Sequence, residues 1–591
     1  MKKILVLMLA IISVLCCLLA LGVSAAEPDN SKETVTLADG TVCALWDTEG
    51  NPLIWYVTSA SDAEVKTYAY VDATSSAVAY INSSNSTNQL DNVTITVDLV
   101  EYAKSTIAVI NMPNAKITTV SGNGKTARIG EDATRIYKTF QGCGNLEYAY
   151  VNLNTTSVGQ ETFKSCSNLK FVNLAELSEL TTIGIQAFNG CSNLFNEIAL
   201  DLTNTKLNEI GNLGLSNAKF VSVKLPEATL TKVGSEAFRG CSNLETVTGT
   251  SNAYKGITSI GGSCFRDCKK LKQLDGLIEN GILILPEGVT SVGTFAFTEC
   301  DAITYIDFPS TFNYVGQQGF SYMSNVEILN FDKITGVLTL NNCGHFRDMD
   351  KLVAVSLPEG MVEVNNRAFA SCDNLTAVYM PNSVQVLSTN GDGQGAFCGS
   401  SKLYFVNESF TVDQCLVDGN VDTSKLVLPE KPTIYYMPTS LTRFGGTVSA
   451  SDRYSIASMF RYCKALNDVI VFPESFTDMQ ITRAFQEMGT KESPKTIVFL
   501  GNIEAFALTH YSQYITFIFA NELDKNLSDL GIIRSSGNSK ETDSCMYFCS
   551  TGIKYNLAIS GRVSSGQDAT TEDSITKINT TIEALLNGEE N

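Results

Sequence analysis

Ile183-Gly184-Ile185-Gln186-Ala187-Phe188-Asn189-Gly190-Cys191-Ser192-Asn193-Leu194 returns with few changes as Val233-Gly234-Ser235-Glu236-Ala237-Phe238-Arg239-Gly240-Cys241-Ser242-Asn243-Leu244. Val292-Gly293-Thr294-Phe295-Ala296-Phe297-Thr298-Glu299-Cys300 fits the same frame, as does Arg367-Ala368-Phe369-Ala370-Ser371-Cys372-Asp373-Asn374-Leu375. The shared unit is I/V-G-x-x-x-F-x-x-C-x-x-L-x-x-h-x-h-P, with h apolar. Its phenylalanine falls at 140, 163, 188, 238, 265, 297, 320, 346, 369, 397, 460 and 485, with Leu215 filling one slot. The shortest step is 23 residues, and longer steps carry insertions. About 13 units thus occupy residues 131–500. A fixed period of this length is the mark of a repeat architecture, in which each unit buries its apolar face against its neighbours.

Each part of the unit has a physical reading. Leu375-Thr376-Ala377-Val378-Tyr379-Met380 is a short strand whose final apolar pair alternates with period two. Pro226, Pro309, Pro358 and Pro381 follow such strands, where the missing N–H ends ladder pairing. The I/V-G step is expected to be a turn that uses glycine at positive φ. The x-x-x-F-x-x-C stretch is too short for an independent helix. It is expected to form a helical turn that lays phenylalanine over the strand. The predicted fold is therefore a solenoid of short parallel strands with short helical turns, behind a small β-rich N-terminal region.

The cysteines follow the repeat. Cys143, Cys166, Cys191, Cys241, Cys268, Cys300, Cys372 and Cys463 share one slot, which Met323, Met349, Met488, Ala218 and Ser400 fill elsewhere. None of these replacements can form a disulfide. The slot is read as a soft core position suited to a buried free thiol. Cys43, Cys264, Cys343, Cys398, Cys415, Cys545 and Cys549 lie off the ladder and are the disulfide candidates, with Cys545 and Cys549 close in sequence. The CxxC and CxxH pairs of zinc sites are missing, and no metal site is expected.

The pattern resembles the BspA-like leucine-rich repeat family. The A-F-x-x-C cores carry the likeness, together with strand endings such as Val355-Ser356-Leu357-Pro358. The resemblance implies a surface or secreted protein with a role in adhesion, matrix-protein binding or coaggregation. It brings no catalytic residues. The repeats around Leu215, His345-Phe346 and Phe397 depart from the pattern.

The flanks divide the rest of the chain. Lys2 and Lys3 precede an apolar run from Ile4 to Val23, then Ser24-Ala25-Ala26. Residues 1–25 read as a signal peptide with an A-x-A-like cleavage site, the alternative being a membrane anchor. No second hydrophobic span follows. Residues 26–130 form a β-rich domain or cap, with strands expected at Leu53–Val57 and Val93–Leu99. Residues 404–452 are an elaborated insertion, and per-repeat insertions often bind ligands. Residues 501–591 are a C-terminal cap and polar tail, with a candidate helix from Asp573 to Leu586. The expected location is secreted, or held non-covalently at the cell surface.

Charge and motif content narrow the function. The net charge of −20 argues against nucleic acid, which needs clustered Lys and Arg. Only His345 and His510 are present, and no nucleophile, Walker or zinc-protease motif appears. No cofactor is expected. Binding of a host or neighbouring-cell surface protein or polysaccharide is the leading reading, with a structural envelope component and a secreted hydrolase as alternatives. On each strand, the residue between the last two apolar positions is expected to point away from the core. Asn173, Asp307, Ser356 and Tyr379 are therefore the candidate ligand-binding residues.

Overall fold

The computed structural model describes residues 28–48 and, with short gaps, 140–520. It also describes the backbone of strands between 53 and 136 and between 541 and 568. The chain falls into two units, residues 1–255 with 267–276, and residues 256–266 with 277–591. Both are wound as the same coil, a leucine-rich-repeat β-solenoid of about 13 turns in all.

Each turn of the coil contributes one strand to each of two sheets. In the first unit Ala199–Asp201, Ser222–Lys224, Thr246–Thr248 and Gln273–Leu274 pair in parallel, with Leu200, Val223, Val247 and Leu274 in register. In the second unit Ile282–Ile284, Tyr305–Asp307, Ile328–Asn330, Ala354–Ser356, Ala377–Tyr379 and Tyr404–Val406 do the same. The central residue of each strand is apolar and buried, because successive side chains point to opposite faces. The second sheet is made of two-residue strands such as Thr182–Ile183, Glu209–Ile210 and Lys232–Val233. The I/V of the repeat thus lies in a strand rather than in a turn.

The glycine after that I/V is not at positive φ, contrary to expectation. It is required by distance. A Cβ at Gly184, Gly211, Gly234 or Gly316 would come within 2.6–2.8 Å of the backbone of the preceding turn. The repeats approach too closely there for any side chain.

The phenylalanine turns also differ from the expected helical form. Among the described residues no helix spans any of them. Most are instead bracketed by left-handed residues, two before the phenylalanine and two after it, whereas Phe397 and Phe460 keep only the one after. Glu161 and Ser165 flank Phe163, Gln186 and Gly190 flank Phe188, Phe295 and Glu299 flank Phe297, and Arg367 and Ser371 flank Phe369. The cause is the hydrogen bonding between turns. The N–H groups of Phe295, Phe297 and Glu299 donate to the carbonyls of Gln317, Gly319 and Ser321 in the next turn. Left-handed residues at those two places aim alternate N–H groups along the stack. A helix would direct them inward to its own carbonyls instead.

The buried interior is the expected aromatic column. Phe140, Phe163 and Phe188 stack at 5.1 and 5.3 Å, and Phe297, Phe320 and Phe346 at 5.9 and 5.7 Å. Beside it runs a thiol ladder. The Sγ of Cys191 donates to the carbonyl of Phe163 at 3.0 Å, and Cys241, Cys300 and Cys372 repeat this toward the preceding turn. Ser400 makes the same bond to Phe369 at 2.9 Å, which explains the one polar residue in the slot. Burial pushes the thiols of Cys241 and Cys372 up to about 12. All thirteen cysteines among the described residues are free and buried, including the off-ladder Cys43, Cys264, Cys343, Cys398 and Cys415. The side chains of Cys545 and Cys549 lie outside the described residues, as do the leader and the Asp573–Leu586 segment.

Antiparallel strands extend the sheets at both ends of the chain. In the first unit Ile107–Asn111 pairs in parallel with Tyr148–Tyr150, and Leu53–Val57 and Tyr68–Asp72 add antiparallel beyond it. In the second, Ile553–Ala558 and Val563–Asp568 follow antiparallel on Glu541–Phe548. An antiparallel edge interrupts the repeat register on which a further parallel turn would build.

Candidate binding surface

The outward face of the larger sheet is built from the first and third residues of each three-residue strand. In the second unit these outward positions are mostly apolar. Tyr305, Ile328, Ala354 and Ala377 are buried, although they point away from the phenylalanine column. The cover is a strap formed by residues 407–428. Its Phe410, Val412 and Cys415 pack onto that face, with Leu416, Val421, Leu426 and Leu428 alongside. Two side-chain hydrogen bonds fasten it, from Asn330 Nδ2 to Asp413 Oδ1 at 2.8 Å and from Thr423 Oγ1 to Glu327 Oε2 at 3.0 Å. Within the 404–452 insertion singled out in the sequence, residues 407–428 thus cover the sheet, while Tyr404–Val406, Ile434–Tyr436 and Arg443–Phe444 are strands of the coil.

The four candidate residues fare unequally. Asn173 is 1% exposed, and its amide bridges the N–H and C=O of Val151 at 2.8 and 3.1 Å. It is a core hydrogen-bonding group, because its turn leaves that backbone pair to be satisfied by a side chain. Ser356 is 6% exposed on the face that carries the strap. Neither lies on an open face. Asp307 is half-buried, paired with Lys333 at 2.7 Å. Tyr379 is half-buried and donates to Glu359 Oε1 at 2.8 Å. Burial, and then the Glu359 carboxylate, push its phenol up to about 12. The strip is thus not continuous, and the strand-by-strand rule could not reveal a cover made by residues about 30 to 100 positions downstream.

In the first unit Tyr148 and Tyr150 at these positions pack against the segment that holds Val35, Leu37 and Leu45, whereas in the strands from Ala199 to Leu274 the same positions are mostly polar and at least half-exposed. Ala199, Asp201 and Lys224 are exposed, while Ser222, Thr246, Thr248 and Gln273 are half-exposed. Lys224 pairs with Asp201 at 3.4 Å and Lys272 with Glu245 at 2.8 Å, each across adjacent turns. The hydroxyl of Thr203, then its N–H, hold the Asp201 carboxyl below its usual range, so it stays ionised. The sequence did carry this signal. The first strand position reads Ser222, Thr246 and Gln273 in the first unit but Tyr305, Ile328, Ala354 and Ala377 in the second.

His345 is fully buried, its Nε2 lies 2.9 Å from the carbonyl of Asn341, and burial lowers its pKa to about 4. No group of three or more His, Cys, Asp or Glu able to hold a metal occurs among the described residues. No helix among them is long and apolar enough to cross a membrane.

The BspA-type leucine-rich repeat model matches in six copies, over residues 117–194, 177–281 and 278–404. Residues 117–404 are BspA-type leucine-rich repeats. Solved structures similar to this chain of BspA-type repeats include a leucine-rich repeat protein from Bacteroides ovatus. It is 20% identical, spans 75% of this chain and 98% of its own, and has a TM-score of 0.43. A leucine-rich cell surface protein from Faecalibacterium prausnitzii is 22% identical over 58% of this chain and 95% of its own, with a TM-score of 0.34. The pneumococcal vaccine antigen PcpA is 15% identical over 56% and 94%, with a TM-score of 0.33. No curated protein matches the sequence.

Proposed function

We propose that this protein is exported and binds a macromolecule, a protein or polysaccharide of a host or neighbouring cell, through the outward sheet face of its first unit. One observation carries the reading. The same strand positions recur in both units, yet the chain covers them with an apolar strap in the second and leaves them bare and mostly polar in the first unit's strands from Ala199 to Leu274. The bare face is a shallow surface with Asp201, Lys224 and Thr248 in successive turns. A flat array of that kind suits a large ligand that makes many contacts, whereas a small molecule needs concavity. Its core is held by other side chains, so the outward ones are available for recognition. Paired signs on the face favour a ligand that replaces the Lys224–Asp201 contact with its own hydrogen bonds rather than a strongly charged polymer.

The test is a triple variant, Asp201→Ala, Lys224→Ala and Thr248→Ala. Beads coated with the protein are presented to epithelial and bacterial cells and to arrayed proteins and glycans. The variant is expected to keep its thermal midpoint and to lose at least about tenfold in attachment. Attachment equal to that of the parent would remove this face as the binding surface.

A further inference from the structure

We infer that the sheet face under the 407–428 strap is a second binding surface, for an extended apolar polypeptide, and that the strap occupies it as an internal stand-in for that partner. The first ground is composition. Polar outward residues of a solenoid strand need no cover and stay half-exposed, as Ser222 and Thr246 do. In the second unit the equivalents are Tyr305, Ile328, Ala354 and Ala377, a surface that only an apolar partner satisfies. The second ground is how the strap is held. Every backbone hydrogen bond seen within it closes on the strap itself, as from Asp422 to Cys415 and from Leu426 to Thr423. Among the described residues the strap's only strand pairing is its own two-residue hairpin, Leu416–Val417 with Asn420–Val421. It adds no rung to the parallel ladder, so lifting it breaks no bond between the turns of the coil.

The contacts the strap makes describe the partner. Apolar side chains fill the space above Ile328 and Ala354, and a carboxylate meets the Asn330 amide as Asp413 does at 2.8 Å. A chain segment with spaced apolar residues and one acidic residue reproduces this, recognised by side chains rather than by strand addition. Asp332 supplies a reason for exchange. Burial, and then the carboxylate of Asp413, hold its pKa above the usual range, so the strap's own acid is seated beside a like charge. This surface belongs to the second unit and stands or falls separately from the face of the first.

The test uses the full chain and, as probe, a fluorescent peptide of its own residues 407–428. In the variant Phe410→Ser with Leu416→Ser the strap is weakened and the face is untouched. The peptide is expected to bind this variant at least about tenfold more tightly than the parent, since a larger fraction of molecules present an open face. Adding Asn330→Ala should reverse most of that gain. Iodoacetamide should modify Cys415 faster in the strap variant, while Cys372 and Cys463 stay protected, which shows that the coil remains folded. Peptide binding no tighter than to the parent would overturn the inference. So would modification of Cys415 only together with the ladder thiols, because the strap would then be a fixed part of the core.

Discussion

The two units share one coil and differ in what they do with its outside. In the first unit's strands from Ala199 to Leu274, the outward positions hold Asp201, Lys224, Thr246 and Thr248, which are exposed or half-exposed. In the second, the same positions hold Tyr305, Ile328, Ala354 and Ala377, and the chain's own strap covers them. The inner face does not register this difference, since Val223, Val247, Leu329 and Val378 are equally buried. A solenoid turn therefore specifies its core with one set of residues and leaves a second set free. That second set is where the two units of this protein diverge in character.

Substitution of an outward residue is the sharpest probe of this contrast. Ile328→Ser should cost about 2–4 kcal/mol, the range of a buried large-to-small change with a hydroxyl added beneath the strap. Ser222→Ala, at the corresponding place in the first unit, should stay within about 0.5 kcal/mol. Equal losses in urea unfolding would mean that the first unit's face is covered as well. The inner coil should show no such asymmetry. Gly211→Ala and Gly316→Ala place a methyl within 2.8 and 2.6 Å of backbone in the adjacent turn. Each is expected to destabilise by about 1–3 kcal/mol, as other overpacked sites do. A large effect in one unit alone would show that the turns are not equivalent inside.

Smaller effects are expected at the left-handed turns. Leu213 and Gln318 adopt φ of 57° and 52°. Replacing either with glycine should raise stability by a few tenths of a kcal/mol to about 1 kcal/mol, as left-handed strain is relieved against the greater chain entropy of glycine. A fall in the thermal midpoint would mean that their side chains contribute more than the backbone gains. His345 gives the second unit a pH response of its own. Its folded pKa of about 4 lies below the ordinary value, so it is neutral in the fold and takes up a proton on unfolding between those limits. Its contribution is present above about pH 6.5 and is lost as the pH falls toward 4. His345→Gln should flatten that part of the stability profile, and an unchanged profile would show that other groups produce it. The smallest effect belongs to the exposed Lys224–Asp201 pair. Its removal should change stability by less than about 1 kcal/mol and diminish further with added salt.

The repeat itself was legible because its core positions recur at fixed offsets. Phe188, Cys191 and Leu194 return as Phe238, Cys241 and Leu244, and stacking is the arrangement that buries all three. Sequence also identified the ladder cysteines as thiols, from the methionine and alanine that replace them. Conformation within the unit was less accessible. Gly184 and Gly234 looked like turn residues, and only the packing of adjacent turns shows that they are glycine because a Cβ would meet backbone. The phenylalanine segment looked like a helical turn, yet its N–H groups are claimed by the following turn, and that pairing selects left-handed residues instead.

The candidate site marks the boundary between what the chain alone specifies and what the fold adds. Strand alternation determined that Asp307, Ser356 and Tyr379 lie on the side opposite Val355 and Val378, because that depends only on neighbouring residues. Whether the side is open was decided by contacts over long sequence separation. Asp413 reaches Asn330 and Thr423 reaches Glu327, closing the second unit's face. Asn173 is withdrawn from solvent by its bonds to Val151 in the turn before. Local pattern sets which way a side chain points, but exposure depends on everything that packs there, and only the tertiary structure assembles that.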